Sequence, residues 1–582
     1  MVTLHAMPGT GLLIRCLGSL SAILVTAAVV SAADIPDAGS ILKQQEPQRT
    51  LPQHFPVIDK PAERPALSDS GARITVTAIR FTGYEGLATE AELQALVASA
   101  IGSTVSFSEL QVLTDKVTTY LKDKGWFLAR AYLPRQDVTA GKIEIAILNA
   151  LLDGTPQINI KQPARIKAQV LRTLIEQQLK PGQPLHTEDI ERALMLMNDL
   201  PGLSAKGTLA PGSKPGSSQL MVTVSEGTLL NGTVWSDNQG SRYTGEWRGN
   251  GMLNINDLSG YGDQLSLMMT GAAGLYQGRA GYTVPLGSRG LKASLAYTGM
   301  HYDLVGPLAS LNGGGDANTI DTGLSYPIIR SRTLNLTTNL GFSYKLLNDY
   351  LSGVTVRDKN LQIGTIGLSG DRYDKLLGGG YTSWQLGATV GNLDLTGNAA
   401  DYQGDQLTAR ANGIYGKLTY AVSRLQRLTD KISLAASYSG QYALDNLDSS
   451  EKFNLGGPSG VRAYPTGEGS GDTGGIITTE LRYILPIPAK LGSYQLTGFY
   501  DAGHLTLHQA PWLNSVTTVS GENSYWLQGA GIGLTVSTGS FLNIKATWAH
   551  TIGDNQGRGL NGKDADGRTE QNRFWLQTMI YF

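Results

Sequence analysis

From Gly227 to Phe582 the side chains alternate in polarity with a period of two, and no other feature limits the fold so strongly. Leu334, Leu336, Thr338, Leu340, Phe342 and Tyr344 share one face of an extended segment, opposite Asn335, Thr337, Asn339, Ser343 and Lys345. Ile432, Leu434, Ala436, Tyr438 and Tyr442 repeat the pattern, as do Leu291 to Tyr297 and Leu542 to Trp548. A period of two places these residues on one side of a sheet. Only 16% of residues are charged, against ~25% in an ordinary domain, and 72 of the 582 are Gly, which suits many strands joined by loops. A soluble sandwich also has one apolar and one polar face. Here aromatic residues cluster near strand ends, where membrane interfaces lie, and the polar faces carry the Ser, Thr, Asn, Gln and Lys of a wet lumen. In hydrocarbon every backbone polar group must be paired, so a spanning sheet has to close on itself. Spanning strands with their turns use roughly 22 residues each, which gives about 16 antiparallel strands and a bore able to hold water. The expectation is an all-β transmembrane barrel over 227–582.

Upstream the periodicity is mixed, and predicts α+β modules. Ile74 to Ile79 alternates as a strand. Leu93, Leu96, Val97 and Ala100 recur at helical spacing, and so do Leu110, Leu113, Val117, Tyr120 and Leu121 after a cap at Ser106 or Ser108. Gly125 stops that helix, and Trp126 to Leu133 and Lys142 to Leu148 read as strands. The order strand, helix, helix, strand, strand then recurs from Ile158 to Val224, which predicts two modules, 72–151 and 152–226. Before them, residues 34–71 are rich in Pro and leave room for a short helix only at Ser40 to Glu46. Arg15, the apolar run Leu17 to Val30 and Ser31-Ala32-Ala33 read as a cleavable secretory signal over 1–33. The single cysteine, Cys16, falls inside it.

A formal net charge of −1 gives no electrostatic case for nucleic acid. Neither G-x-S-x-G nor G-x-x-x-x-G-K-[ST] is present, so no serine-lipase or nucleotide site is implied. His504 and His508 lie four apart in a context of strand or loop rather than helix. The sequence predicts no enzyme, cofactor or metal.

Phe453-Asn454-Leu455-Gly456-Gly457-Pro458-Ser459-Gly460-Val461-Arg462-Ala463-Tyr464-Pro465 resembles the sixth-loop motif of the Omp85 superfamily. More closely it is similar to the two-partner secretion transporters, the haemolysin- and filamentous-haemagglutinin-secreting branch. Gly467-Glu468, Gly471-Asp472 and Glu480-Leu481-Arg482-Tyr483 share that likeness, and Phe499-Tyr500-Asp501-Ala502-Gly503 resembles the family's second barrel motif. The final strand, with Phe574, Leu576, Thr578, Ile580 and Phe582 on one face, resembles the C-terminal insertion signal of bacterial outer-membrane proteins. The resemblance implies a bacterial outer-membrane location, two periplasmic POTRA modules and a long loop, at about 453–475, folded back into the lumen. It implies that Arg462, within Val461, Arg462, Ala463 and Tyr464, pairs with Asp501, within Phe499, Asp501 and Gly503. The family often has Gly where Ala463 stands. The implied partners are outer-membrane lipids, the barrel-assembly machinery that inserts such chains, and a large secreted adhesin- or haemolysin-like client. The client would be captured by a POTRA strand edge and exported unfolded without nucleotide. Relatives can plug the barrel with an N-terminal helix, for which Ser40 to Glu46 is the candidate. An Omp85-type assembly factor is the alternative, although such proteins usually carry more POTRA modules; a passive porin or a barrel enzyme fits less well.

Overall fold

The computed structural model describes residues 35–46, 73–214 and 216–582. The expected signal at 1–33, and all but 35–46 of the 34–71 segment, lie outside the described residues.

The first module packs helices Glu90–Val97 and Phe107–Asp123 on a sheet in which Lys142–Leu148 lies between Ala78–Thr82 and Arg130–Tyr132. Alternation in Lys142–Leu148 buries Ile143, Ile145 and Ile147 against Leu93, Val97, Leu110, Val117 and Leu121. Both helices begin with reciprocal capping boxes, Thr89 with Glu92 and Ser106 with Glu109. The segment read as one strand from Ile74 to Ile79 is two. Arg73–Thr75 pairs with Thr104–Ser106, and Ala78–Thr82 runs parallel to Lys142–Leu148. The strand expected from Trp126 to Leu133 shrinks to Arg130–Tyr132, because the Trp126 N–H donates to the Leu121 carbonyl and the Ala129 N–H to the Trp126 carbonyl, so this backbone closes a turn after the helix.

The second module repeats the plan with helices Ala168–Gln178 and Thr187–Asn198 on strands Gln157–Ile160, Ser217–Glu226 and Leu203–Pro211. Its joint to the first module is a close approach at Gly125, where φ is +94° and any Cβ would strike the His186 ring. Thr187 Oγ1 donates to the Gly125 carbonyl at 2.8 Å, and His186 stands edge-on to Trp126. Its joint to the barrel is polar. Asp199 accepts a forked pair of hydrogen bonds from Arg330 at 2.6 and 2.8 Å, and the Asp199 carbonyl accepts from Lys292.

The remaining residues form a closed antiparallel barrel of 16 strands. It runs from Leu230–Asp237 to Asn572–Tyr581, and these two pair through Thr233–Asp237 and Gln577–Tyr581 to seal the sheet. The alternation resolves as expected: Leu340, Phe342, Ile366, Leu386 and Ile532 stand exposed on the outside, and Lys345 is buried. An apolar belt of that extent is a liability in water and a requirement in lipid. Phe574, Leu576, Ile580 and Phe582 belong to the same exposed outer surface, while Arg573 just before them and Trp575 between them are buried.

Replacing Ile145 by Ala should cost about 2–5 kcal/mol locally, since the side chain is fully buried. Hydrogen exchange on the full-length protein should show first-module amides losing protection while barrel amides stay unchanged. Equal loss in both would contradict the separateness of the two cores.

Candidate functional site: a lumen closed by loop and helix

The long connection between strands Ile432–Ala443 and Thr473–Ile484 folds inward. Phe453–Asn454 pairs with Ser470–Gly471 to form its stem. Its tip packs Leu455, Val461, Ala463 and Tyr464 against Ile476, Phe499, Leu505, Tyr525 and Leu527 of the wall. Arg462 lies at the centre. Its Nε and Nη2 donate to the two carboxylate oxygens of Asp501 at 2.8 and 2.7 Å, and its backbone N–H donates to Asp501 as well. Its Nη1 donates to Glu480 at 2.7 Å, and Arg482 holds the other oxygen of Glu480. The guanidinium carbon lies 3.5 Å from the centre of the Phe499 ring, and the Arg462 carbonyl accepts from Trp575 on the last strand. Asp501 is fully buried and Arg462 nearly so. A planar fork satisfied on both prongs, stacked on an aromatic face, fixes position as well as charge, and a lysine offers no equivalent.

The glycine of the wall motif has a steric cause. A Cβ on Gly503 would collide with Leu455 and come within 3.2 Å of Val461. Ala463 is accommodated in the same way, because the wall residue facing it is Gly529. The structure thus brings together Val461, Arg462, Ala463, Tyr464, Phe499, Asp501 and Gly503. Phe574, Leu576, Ile580 and Phe582 lie apart, on the outer face.

Above the tip, Glu468 is buried and accepts from Asn555 Nδ2 and from the Ala565 N–H, both at 2.6 Å, in the loop before the last strand. Burial, reinforced by the nearby Asp564 and Asp566 carboxylates, pushes its carboxyl up to about 7.

A second obstruction is the helix Ala38–Gln44. It starts two residues earlier than Ser40 because Asp37 caps it: Asp37 Oδ1 accepts from the Ser40 N–H, and Ser40 Oγ accepts from the Asp37 N–H. Ala38, Ile41 and Leu42 are buried among Tyr302, Leu347, Leu361, Leu393 and Tyr415, side chains that line the bore. Asp37 also accepts from Lys359 at 3.1 Å and from Ser449 at 2.6 Å, and Lys359 bridges on to Asp448. Helix and loop stem therefore meet at one carboxylate. Nearby, Lys345 and Lys417 clamp Glu451 of the stem at 2.7 and 2.8 Å. A cavity of about 440 Å³ lies against the helix, with Lys43, Arg279, Asp321 and Lys345 in its lining.

Residues 216–536 match the haemolysin secretion/activation protein ShlB/FhaC/HecB family, and residues 74–149 match the ShlB-type POTRA domain. The chain belongs to the haemolysin secretion/activation family. It is 26% identical to the heme/hemopexin transporter protein HuxB of Haemophilus influenzae, over 95% of this chain and 96% of that protein. It is likewise 26% identical to the outer membrane transporter CdiB of Dickeya dadantii, over 84% and 90% of the two chains. The solved structure of CdiB from Escherichia coli superposes with a TM-score of 0.70 at 21% identity, covering 99% of this chain and all of that one. The chain is an outer-membrane barrel with its POTRA modules in the periplasm. The helix and the inserted loop close the bore of a family barrel, and the module joints at Gly125 and Asp199 lie on its periplasmic side.

Glu480 and Arg482 enter the sequence reading only within the family likeness, with no partner assigned, and the Lys345–Glu451–Lys417 clamp is not foreseen there at all. Their inward positions are set by alternation, but their partners come from distant strands.

Two outcomes are expected. Removing one partner of a dry buried pair costs about 3–5 kcal/mol, and a wet lumen lowers that. Asp501→Ala should therefore leave a heat-resistant barrel but free the tip. A cysteine placed at Val461 should then react with an impermeant maleimide in that background and stay protected with Asp501 intact; equal reactivity would contradict the lock. For Glu468, the folded carboxyl keeps its proton to higher pH than the unfolded one, whose ordinary value is 4.5. Its contribution is full below that range and is lost as pH rises through about 7. Protease resistance of the 552–571 loop should fall between about pH 4.5 and pH 7 and level off above, and Glu468→Gln should flatten the profile. An unchanged slope in Glu468→Gln would assign the effect to another group.

Proposed function

We propose that this barrel exports a large secreted adhesin- or haemolysin-like protein across the outer membrane, unfolded and without nucleotide. The observation that carries the reading is a 16-strand bore closed by two pieces of the same chain, each held by ion pairs and hydrogen bonds. Such contacts exchange for water in a polar lumen at modest cost, so the helix can leave and make room while the wall stays intact. The names of its relatives, the heme/hemopexin transporter protein HuxB and the hemolysin transporter protein HpmB of Proteus mirabilis, point the same way.

The modules at 72–151 and 152–226 receive the client. Ala78–Thr82 and Arg130–Tyr132 are the edges of the first module's three-stranded sheet. An extended client segment can add to such an edge through main-chain hydrogen bonds. Passage then threads an unfolded chain past the tip, and folding on the far side opposes return, which supplies direction without ATP. Outer-membrane lipids surround the apolar belt, and the barrel-assembly machinery reads Phe574, Leu576, Ile580 and Phe582. The chain works by binding and conduction rather than catalysis.

Co-expression with the secreted protein encoded beside it tests the reading. The client should reach the medium only when this chain is present, and Asp501→Ala should lower export several-fold at an equal barrel level. In planar bilayers, Asp37→Ala should open the bore more often than the native chain, since it removes both the helix cap and the Lys359 contact. Client release in the absence of this chain would end the proposal.

A further inference from the structure

The joint between the second module and the barrel holds a buried carboxyl oxygen without a partner. The chain leaves strand Ser217–Glu226 and enters the barrel at Leu230–Asp237. Beside this crossing lie the residues that lead into helix Ala168–Gln178 and the periplasmic turn 257–263 of the barrel. The Lys167 N–H donates to the Gly260 carbonyl at 3.0 Å, and the Lys167 ammonium lies 3.6 Å from the centre of the Tyr261 ring. A Cβ on Gly262 would come within 2.8 Å of Leu200. The Asn256 N–H donates to the Leu229 carbonyl, and its side-chain amide to that of Thr228. The turn and its approach therefore seat the module and grip the crossing chain together.

Asp257 opens the turn. It is fully buried, and its φ of +52° puts a non-glycine residue in the left-handed region, a conformation that persists only where the surroundings impose it. Oδ1 accepts from the Gly262 N–H at 2.7 Å, whereas Oδ2 is buried with no donor among the described residues. The cations around it are committed elsewhere. Glu226, on the crossing chain, has a buried carboxylate that accepts from the Arg165 and Ile166 N–H groups and pairs with the Arg165 guanidinium at 2.6 Å. Lys167 is turned to Tyr261. Asp263, at the far end of the turn, is also fully buried and accepts from Ser259 and from the Tyr282 hydroxyl. Burial, then the Glu226 and Asp263 carboxylates, push the Asp257 carboxyl above its ordinary value of 3.8. A lone buried charge is costly enough that such a group keeps its proton instead.

We propose that Asp257 is a proton-operated pin of this joint: with its proton the second module sits on the turn, and without it the module swings away. Ionised, the carboxylate has no partner and stands near two others, so the turn gains by opening to water. The module stays attached, because Arg192 donates to the Arg289, Pro327 and Ile328 carbonyls and Asp199 holds Arg330 at the two neighbouring turns. Those contacts form the pivot. A carboxyl raised by seating stabilises the seated state fully below the ordinary 3.8, and that contribution is lost as pH rises through the raised value. The inference rests on the modules' place in the periplasm and is independent of what the barrel conducts.

The full-length protein in lipid nanodiscs, spin-labelled at Lys206→Cys of the second module and Asp430→Cys of the far periplasmic rim, provides the test; both positions are exposed. Double electron–electron resonance should give one narrow distance at about pH 4.5 and a shifted, broader distribution at about pH 8, the seated population falling roughly threefold. Asp257→Asn keeps an acceptor for the Gly262 N–H, and Asp257→Gly suits the left-handed backbone. Neither titrates, so in each the distribution should be the same at both pH values, and Asp257→Asn should hold the narrow distance throughout. Either variant decides where the other fails to insert. A distance indifferent to pH in the native chain, or an undiminished pH response in a variant, would overturn the proposal. So would recovery of the narrow distance at the higher pH by added Ca²⁺, which would make the neutralising partner a cation rather than a proton.

Discussion

Everything in this molecule depends on the pairing of Thr233–Asp237 with Gln577–Tyr581. Lipid offers no hydrogen-bond partner, so a sheet that spans it is stable only when its first and last strands meet. Closure fixes which side chains face inward, and the inward set is then forced to find company in a confined, wet bore. The ion pairs of the lumen are thus a by-product of sealing the sheet as much as a device for export. Lys345, Lys359 and Lys417 sit on strands because alternation put them there, and Glu451, Asp448 and Asp37 reach them from the loop and the helix.

The two obstructions differ in kind. The loop tip is fixed by a guanidinium with every prong engaged, stacked on Phe499 and backed by Trp575. Its packing reaches the wall through positions emptied for it, at Gly503 and Gly529. The helix has a short apolar face and one capping carboxylate that three different segments share. Truncating Arg462 strands the buried Asp501 carboxylate, whereas truncating Asp501 leaves Arg462 held by Glu480 alone. The helix, by contrast, holds Lys359 and Ser449, polar groups that water can solvate in a wet bore.

Much of this was legible in the residues. A period of two and a low charge content were enough for the barrel, and the chain's length set the number of strands. The Arg462–Asp501 pairing came from resemblance, since nothing local links residues on a loop and a later strand. Glu480 stands in the sequence only within a family-like segment, and its role as the second anchor of Arg462 depends on the loop's depth in the bore. Val76 and Thr77 show a different limit. Alternation carries through them, yet Val76 donates to Ser103 and Thr77 to Gly141, so one apparent strand serves two partners. Asp37 does not stand out as a cap in the sequence, because Pro36 marks the segment as linker and Ser40 reads as the helix start.

The socket of the N-terminal helix has a consequence for how the molecule is made. Tyr302, Leu347, Leu361, Leu393 and Tyr415 come from strands spread over more than a hundred residues, and Ser449 lies 412 positions from Asp37. The segment that leaves the ribosome among the earliest therefore has nowhere to settle until the whole cylinder is in place. A stopper made early in synthesis thus finds its socket only in a finished cylinder.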